Sequence, residues 1–510
     1  MSSLSSLKDK KNFLSIIISI YVTLIGMGVP IIVGDQYFNI LLTKYYFYWI
    51  CTAVMVVLSI IYIAVKGRDI FIEGIKKKMM VQDYAALIFL LIAFISTLSS
   101  EYLYESFWGN EGRYTGLFLL SLYVLSYFFV SRFWIYKSYY IDGMLAAGIL
   151  VCLFGITDYF QMDILGFKEN VIQKQLSIFT STIGNINTYT AYVGIITAIA
   201  TVLFTKVQKG KRIILYYLCM VISFFAIIMG VSDNAYLSLA ALFGLLPLYL
   251  FSNRKGVKRY LVVLATFFSV VKVIACINDY FRDQVLGIDS VFNIIAGSRV
   301  LLYLVFGLWS TIIIWHMLEY IKRPGLEEYG NTFRYVWLAF ILLVILTFIY
   351  VAYDCNILGN SERYGTIGSY LFFNDEWGTH RGYIWRNAIE QFSEFSLFKK
   401  LIGYGPETFG ILLMHKTYNN PYNETFDSAH NEYLQFLLTV GIVGLISYLI
   451  FILSCIKKSL SFKSENPYII AMTFGVICYS IQAFVNLNLP IVTPVFWLLL
   501  GMITSGCREK

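Results

Sequence analysis

Apolar stretches of about 20 residues recur along almost the whole chain and limit its fold more than any other feature. Since a helix rises about 1.5 Å per residue, each stretch can cross the roughly 30 Å hydrocarbon core of a bilayer. The predicted spans are residues 13–33, 46–65, 84–100, 115–131, 141–158, 188–205, 213–231, 235–252, 260–277, 300–320, 335–353, 436–456, 468–484 and 491–506. The sequence therefore predicts an all-α, polytopic integral membrane protein with about 14 transmembrane helices.

The composition agrees with this class of protein. Of the 510 residues, 58% are hydrophobic and only 14% are charged, whereas soluble domains average about 25% charged residues. The first apolar stretch follows Lys8, Lys10 and Lys11 and has no small-residue cleavage site, which indicates a retained anchor. With no internal repeat and no Pro- or Ser-rich linker, we predict a single membrane domain over residues 1–510.

The positions of Lys and Arg predict the orientation of the chain, because cytoplasmic connections retain positive charge. The basic clusters at residues 254–259 and 457–458 lie on the same side when the amino terminus is cytoplasmic. We therefore predict that both termini are cytoplasmic and that the long polar segment 354–435 is extracytoplasmic. The net charge of +8 follows from this topology and from anionic membrane lipids, so no nucleic-acid partner is predicted.

The eight cysteines do not indicate a disulfide framework. All except Cys355 fall in predicted spans or at the cytoplasmic end of the last one, so the extracytoplasmic segment must fold by packing on the helices. The chain also has no Cys-x-x-Cys spacing. We predict no structural metal and no cofactor.

The polar segment 354–435 is where the sequence predicts chemistry, because it contains Arg381, Arg386 and His430 within a chain that is otherwise almost all membrane helix. Apolar residues at 384, 385, 388, 389 and 392 have the period of an amphipathic helix, predicted to lie along the membrane surface until residues 403–406 end it. Plainer alternatives remain open. The two arginines could have no role beyond flanking an interfacial helix, and His430 could have no role beyond capping the next helix.

Several short motifs in this chain occur in an order and spacing typical of one known family. They are Gly109-Asn110-Glu111-Gly112-Arg113-Tyr114-Thr115-Gly116, Ile183-Gly184-Asn185-x-Asn187, Arg381-x-x-x-Trp385, Gly403-x-Gly405, and Ala429-His430-Asn431-x-Tyr433-Leu434 before Gly441-x-x-Gly444. Together they resemble the O-antigen ligase and polymerase family of bacterial envelopes. The specific resemblance covers residues 180–450.

The resemblance implies a GT-C-like glycosyltransferase architecture in the bacterial cytoplasmic membrane, with residues 354–435 as the catalytic loop. It also implies a polyprenyl diphosphate-linked oligosaccharide as donor and a glycan, lipid or protein as acceptor. Other envelope-polysaccharide assembly proteins are further candidate partners. Undecaprenyl is the carrier lipid that this resemblance suggests.

The residue types fit the implied reaction, because guanidinium groups bind phosphate and a neutral imidazole can orient or deprotonate a hydroxyl. We predict His430 and Arg381 as catalytic residues of a metal-independent transfer. The predicted diphosphate-binding residues are Arg113, Arg299 and Arg386. The residues predicted to support the acceptor or the loop are Asp427, Asn431 and Glu432. The alternative to diphosphate binding is that Arg113 or Arg299 has only a structural role.

One departure from the family concerns residues 232–236, where many members have an arginine and this chain has none. Arg299 or Arg113 could supply that phosphate contact, or the donor could differ. Polymerase, ligase and protein O-oligosaccharyltransferase activities all remain open on this scaffold. The alternatives from other classes are a polysaccharide flippase, for which charges within the membrane would be expected, and a scaffold without catalytic activity.

Overall fold

The structure is a computed structural model. It describes residues 2–67, 69, 72, 74, 77–207, 210–288, 291–322, 331–461 and 466–508. The protein is 76% helical, as predicted for an all-α polytopic membrane protein.

Helices follow one another along the chain with short connections, apart from the polar segment 354–435. The α-helices are Ser2–Thr23, Val29–Ile31, Ile40–Tyr62, Val81–Leu98, Leu103–Trp108, Leu117–Phe133, Ser138–Tyr159, Ile186–Lys206, Arg212–Met229, Asn234–Leu250, Arg254–Tyr280, Val291–Ala296, Arg299–Lys322, Thr332–Asn356, Gly365–Leu371, Trp377–Glu394, Leu397–Ile402, Phe409–Thr417, Glu432–Thr439, Gly441–Leu460, Pro467–Gln482 and Thr493–Gly506. The π-helical turns are Leu24–Gly28 and Ile63–Gly67, and the 3-10 turns are Gln173–Ile178, Ser361–Tyr364 and Ala483–Val485.

Within the described residues, 11 helices are long and apolar enough to cross a membrane. Three shorter apolar helices, Leu117–Phe133, Asn234–Leu250 and Thr493–Gly506, coincide with further predicted spans. Every predicted span thus overlaps an apolar helix. The number of helices that cross the bilayer, and their orientation, stay predictions.

The centre of the bundle is formed by three helices from distant parts of the sequence. All 14 residues of Thr493–Gly506 are buried, as is the whole membrane window of Ile186–Lys206. The helix Pro467–Gln482 packs beside them, and a Cβ atom added at Gly475 would lie 3.1 Å from the Ile195 side chain. Small residues let helices approach this closely in membranes. By contrast, Thr332–Asn356 is peripheral, with none of its window buried.

A buried ion-pair cluster joins three helices at the end of the bundle opposite segment 354–435. Asp83 is fully buried and lies 3.5 Å from Arg132. It also pairs with Arg508, which follows the last helix, and accepts a hydrogen bond from Tyr127 over 2.8 Å. These pairs bind the carboxyl-terminal end of the chain to the rest of the bundle.

A short hairpin positions the start of the central helix Ile186–Lys206. Phe179 and Thr180 pair antiparallel with Asn185 and Gly184. The Asn185 side chain accepts a hydrogen bond from the Asn187 amide over 2.8 Å and so caps the helix.

The polar segment 354–435 is folded, with a hydrophobic cluster of its own. Ile384 and Ala388 of Trp377–Glu394 are buried together with Phe409 and Leu413 of Phe409–Thr417. The apolar stripe predicted at 384–392 therefore buries two of its members within the segment itself. Ile389 of the same stripe is 59% exposed.

The amphipathic helix predicted at residues 380–392 is present, but its end was predicted wrongly. Gly378, Thr379 and His380 have left-handed backbone angles, so the regular helix begins at Arg381. It ends at Glu394, because Phe395 is extended and Ser396 caps a new helix, Leu397–Ile402. Gly403 ends that second helix with φ of 80°. A serine cap inside the predicted helix is the physical reason for the difference.

Candidate active site

His430 lines a cleft at the end of the bundle that carries segment 354–435. The cleft has a volume of about 330 Å³ and is also lined by Arg113, Asn185 and Asn187. His430 has a left-handed backbone with φ of 46°, which is uncommon for a residue other than glycine. The chain therefore turns sharply there, directly before the helix Glu432–Thr439.

Arg113 lies beside this cleft in an ion pair with Asp427. The Nη2 atom of Arg113 is 2.6 Å from Oδ1 of Asp427, and Nε is 3.2 Å from Oδ2. Arg113 is 13% exposed, whereas the Asp427 side chain is 64% exposed. Asp427 thus approaches the guanidinium from the solvent side.

Arg381 is the first regular residue of its helix and is half-buried. Burial lowers the pKa of its guanidinium, and the negative charge of Asp233 opposes that shift. Asp233 accepts a hydrogen bond from Tyr370 over 2.9 Å. An aspartate in the turn at residues 232–236 therefore faces Arg381 in this chain.

The electrostatics of His430 connect these residues into one site. Burial and the positive charges of Arg381 and Arg113 together lower the pKa of its imidazole to about 4, while Asp427 acts in the opposite direction. At neutral pH the ring is therefore uncharged. Arg381, Arg113 and Asp427 are thus close enough to His430 to change the pKa of its ring.

Glu407 is a further residue of this region, and no sequence motif had indicated it. Its backbone is left-handed with φ of 63°, yet its side chain is buried. The Asn110 side chain donates to its carbonyl oxygen over 2.8 Å, and the Thr115 hydroxyl donates to its carboxyl group. Burial raises the pKa of this carboxyl group, and the charge of Arg113 lowers it. The loop that carries Arg113 is thus fixed to Glu407 on both sides of the arginine.

A small cavity of about 20 Å³ is lined in part by Arg113. Glu407 and Glu432 line it together with Ser428 and Asn488. The Glu407 Oε1, Ser428 Oγ and Asn488 amide atoms are buried there without hydrogen-bond partners among the described residues. A volume of this size suits about one water molecule, which could bond these groups.

Asn431 and Glu432 support the helix that follows His430. The Asn431 side chain accepts hydrogen bonds from the Tyr433 and Leu434 amides, both over 3.0 Å, and so caps the helix. Glu432 points into the bundle, where it accepts from Tyr448 over 2.5 Å and Tyr479 over 3.2 Å. Burial raises the pKa of Glu432 to about 7.

Two predicted phosphate-binding arginines are not brought to this cluster. Arg386 is 57% exposed and forms a bidentate pair with Asp375, at 2.9 and 2.7 Å. Arg299 is exposed at the first residue of its helix. Their predicted roles are untested.

The connection between the last two helices also reaches the cleft, and the sequence analysis missed it. The Asn486 side chain donates to the Asn187 carbonyl over 3.0 Å. Ser232 donates to the Asn187 side chain over 2.7 Å. The available signal was the pair Asn486 and Asn488 between two strongly apolar helices.

These features define a class of protein: a helical, multi-pass membrane protein with a cleft at one end that combines a neutral histidine with buried cations. Residues 284–449 match the family model described as O-antigen ligase. No curated protein matches the chain.

The match over residues 284–449 supports the resemblance to the O-antigen ligase and polymerase family that the motifs implied. The match includes His430, Arg381, Glu407 and Asp427, whereas Arg113 precedes it. The matched domain supports a membrane ligase or polymerase of polysaccharide assembly, and the family implies lipid-linked glycan substrates. Among the described residues, no group of three or more His, Cys, Asp or Glu side chains is suitably placed to hold a metal ion.

Proposed function

We propose that this protein is a glycosyltransferase that polymerises or ligates glycan from a polyprenyl diphosphate carrier, such as undecaprenyl diphosphate. The observation that carries the proposal is the cleft in which a neutral His430 lies within electrostatic reach of Arg113 and Arg381. We place the reaction at the outer face of the bacterial cytoplasmic membrane, with both termini cytoplasmic and the helices in a GT-C-like arrangement.

The two arginines would stabilise the leaving group. An acceptor hydroxyl attacks the anomeric carbon, the bond from that carbon to the phosphate oxygen breaks, and the electron pair leaves with the lipid diphosphate. Negative charge develops on the diphosphate as the bond breaks, and fixed guanidinium groups in a half-buried site stabilise it without rearranging. Arg113 and Arg381 thus allow a transfer that needs no metal ion.

His430 would bind the acceptor. Its neutral imidazole can accept a hydrogen bond from the attacking hydroxyl, whose proton leaves as the glycosidic bond forms. Because the neighbouring arginines disfavour imidazolium, His430 is better suited to orient the hydroxyl and pass the proton to solvent than to hold it. Asn431 supports this role by fixing the helix that begins one residue later.

The experiment is the length distribution of surface glycan in cells that lack the gene and are complemented at matched membrane expression. The variants are wild type, His430→Ala, Arg381→Ala and the control His415→Ala, which replaces a histidine of the same segment outside the cleft. We expect wild type and the control to restore the glycan and both cleft variants to fail.

The accumulated product then separates the activities. Single lipid-linked repeats would identify a polymerase, full-length chains left on the carrier would identify a ligase, and unglycosylated protein targets would identify a protein O-oligosaccharyltransferase. Accumulation on the cytoplasmic leaflet would instead identify a flippase. Full rescue by both cleft variants would contradict the catalytic assignment and leave a scaffold.

A further inference from the structure

Two carboxyl groups with different surroundings fix Arg113, one by contact with the guanidinium and the other through the loop that carries it. Asp427 contacts it through both oxygens and is 64% exposed. Glu407 is 4% exposed and fixes the loop of Arg113 through Asn110 and Thr115. One carboxyl group is therefore accessible to exchange with solvent anions, and the other is not.

Asp427 occupies the edge of the guanidinium that an anion would use. Its two oxygens meet Nε and Nη2 side by side, which is also how a phosphate group binds arginine. A phosphate that approached Arg113 from the cleft in this geometry would have to replace the Asp427 carboxylate. Both cannot occupy the same pair of donors.

The surroundings of Asp427 allow its side chain to leave while its backbone stays. Phe426 and Ser428 on either side are buried, and a Cβ atom added at Gly410 would lie 3.0 Å from the Asp427 backbone. The backbone is therefore packed in place. The side chain alone is exposed, so rotation about its own bonds is enough to release Arg113.

We propose that Asp427 is a placeholder that occupies the phosphate-binding edge of Arg113 in the free protein and is displaced by the diphosphate of the donor, while Glu407 remains as the permanent anchor of the loop that carries the arginine. This inference rests on the proposed function, in which Arg113 binds the diphosphate. The placeholder keeps the guanidinium oriented before the donor arrives, and it returns when the product diphosphate leaves.

Such a contact lowers the apparent affinity for the donor. Only the fraction of protein whose Arg113 is released can bind, so the apparent dissociation constant rises by the inverse of that fraction. Removing the placeholder charge should therefore tighten binding. For an ion pair with one exposed partner, we expect a change of about threefold to tenfold.

The test is the binding of farnesyl diphosphate, a short soluble polyprenyl diphosphate, to the purified full-length protein in lipid nanodiscs by isothermal titration calorimetry. We expect Asp427→Asn to bind it about threefold to tenfold more tightly than wild type. Arg113→Ala should bind it more weakly. Glu394→Gln removes one exposed carboxylate that pairs with Lys416 at 2.9 Å, and this control should bind like wild type.

The variants distinguish failure of this inference from failure of the proposed function. If Arg113→Ala binds as well as wild type, the diphosphate is not bound there and the proposed role of Arg113 fails. If Arg113→Ala binds weakly but Asp427→Asn binds no more tightly than wild type, the proposal that Asp427 is a placeholder is overturned. If Glu394→Gln tightens binding as much as Asp427→Asn does, the effect is one of total charge and the placeholder is again overturned.

Discussion

The Tyr448 hydroxyl donates a hydrogen bond to Oε1 of Glu432 over 2.5 Å inside the helix bundle. Glu432 follows His430 by two positions in the chain. Tyr479 donates to the other carboxyl oxygen over 3.2 Å. The helix that follows the candidate catalytic histidine is therefore bonded to two membrane helices. Glu432 contributes to the site by fixing that helix, since its carboxyl group points away from the cleft.

We expect Glu432→Ala to destabilise the protein by about 1–3 kcal/mol, because the buried Tyr448 hydroxyl loses its acceptor. Glu432→Gln keeps an oxygen acceptor of the same reach and should cost less. Thermal unfolding of the purified variants would measure both effects. Equal stability of Glu432→Ala and wild type would contradict this account.

The raised pKa of Glu432 predicts how stability depends on pH. The folded protein holds the carboxyl proton up to about pH 7, whereas the unfolded chain releases it near 4.5. The folded state therefore binds more protons between those values, and stability falls as pH rises through that window. Wild type should lose stability relative to Glu432→Gln between about pH 5 and about pH 8. A constant difference across that range would count against a raised pKa.

The lowered pKa of His430 predicts that its ring stays reactive in mild acid. In a variant with the other three histidines changed to Gln, diethyl pyrocarbonate labels the unprotonated ring of His430. We expect the labelling rate to fall only as pH approaches about 4. Adding Arg381→Gln removes one of the charges that lower the pKa, so the midpoint should move up toward about 6.5. An unchanged midpoint would mean that Arg381 does not act on His430.

Arg386 should matter less to donor binding than Arg381. Its guanidinium is exposed, and its Nε and Nη2 atoms already donate hydrogen bonds to Asp375. Arg381, by contrast, is half-buried and faces the site. We expect Arg386→Ala to leave farnesyl diphosphate affinity within about twofold of wild type and Arg381→Ala to lower it tenfold or more, on the scale of about 1.4 kcal/mol per factor of ten. Equal losses of affinity in the two variants would mean that Arg386 also binds the diphosphate.

The Asn431 cap can be tested separately from chemistry. Asn431→Ala removes the acceptor for two helix amides and should cost about 1 kcal/mol of stability, whereas Asn431→Ser keeps a good capping residue. Because His430 immediately precedes the cap, transfer activity should also fall more in the Ala variant than in the Ser variant. Equal activity in both variants would show that the cap does not position His430.

The sequence predicted the helices well because lipid makes long apolar helices nearly obligatory. Each predicted span overlaps an apolar helix. Local signals were weaker in the polar segment, where the cap at Ser396 ended a helix that the apolar pattern had continued.

Contacts between distant residues could not be read from the pattern. Glu407 has no motif of its own, and its role depends on Asn110 and Thr115, which lie nearly 300 positions earlier. Likewise, the pairing of Arg386 with Asp375 depends on the turn at residues 378–380, which a helical period does not reveal. Periodicity predicts which face of a helix is apolar but not which polar side chains meet.

The anchoring of Arg113 also bears on how the protein is made. Arg113 and Asp427 are 314 positions apart, and Asn187 is contacted by Asn486 across 299 positions. The ribosome would synthesise Arg113 long before Asp427. The early half of the chain would therefore enter the membrane before Asp427 is available to pair with this arginine. Because Asn486 and Ile491 also line the cleft, it can form only after nearly the whole chain has been made, and a truncated nascent chain would lack the complete candidate site.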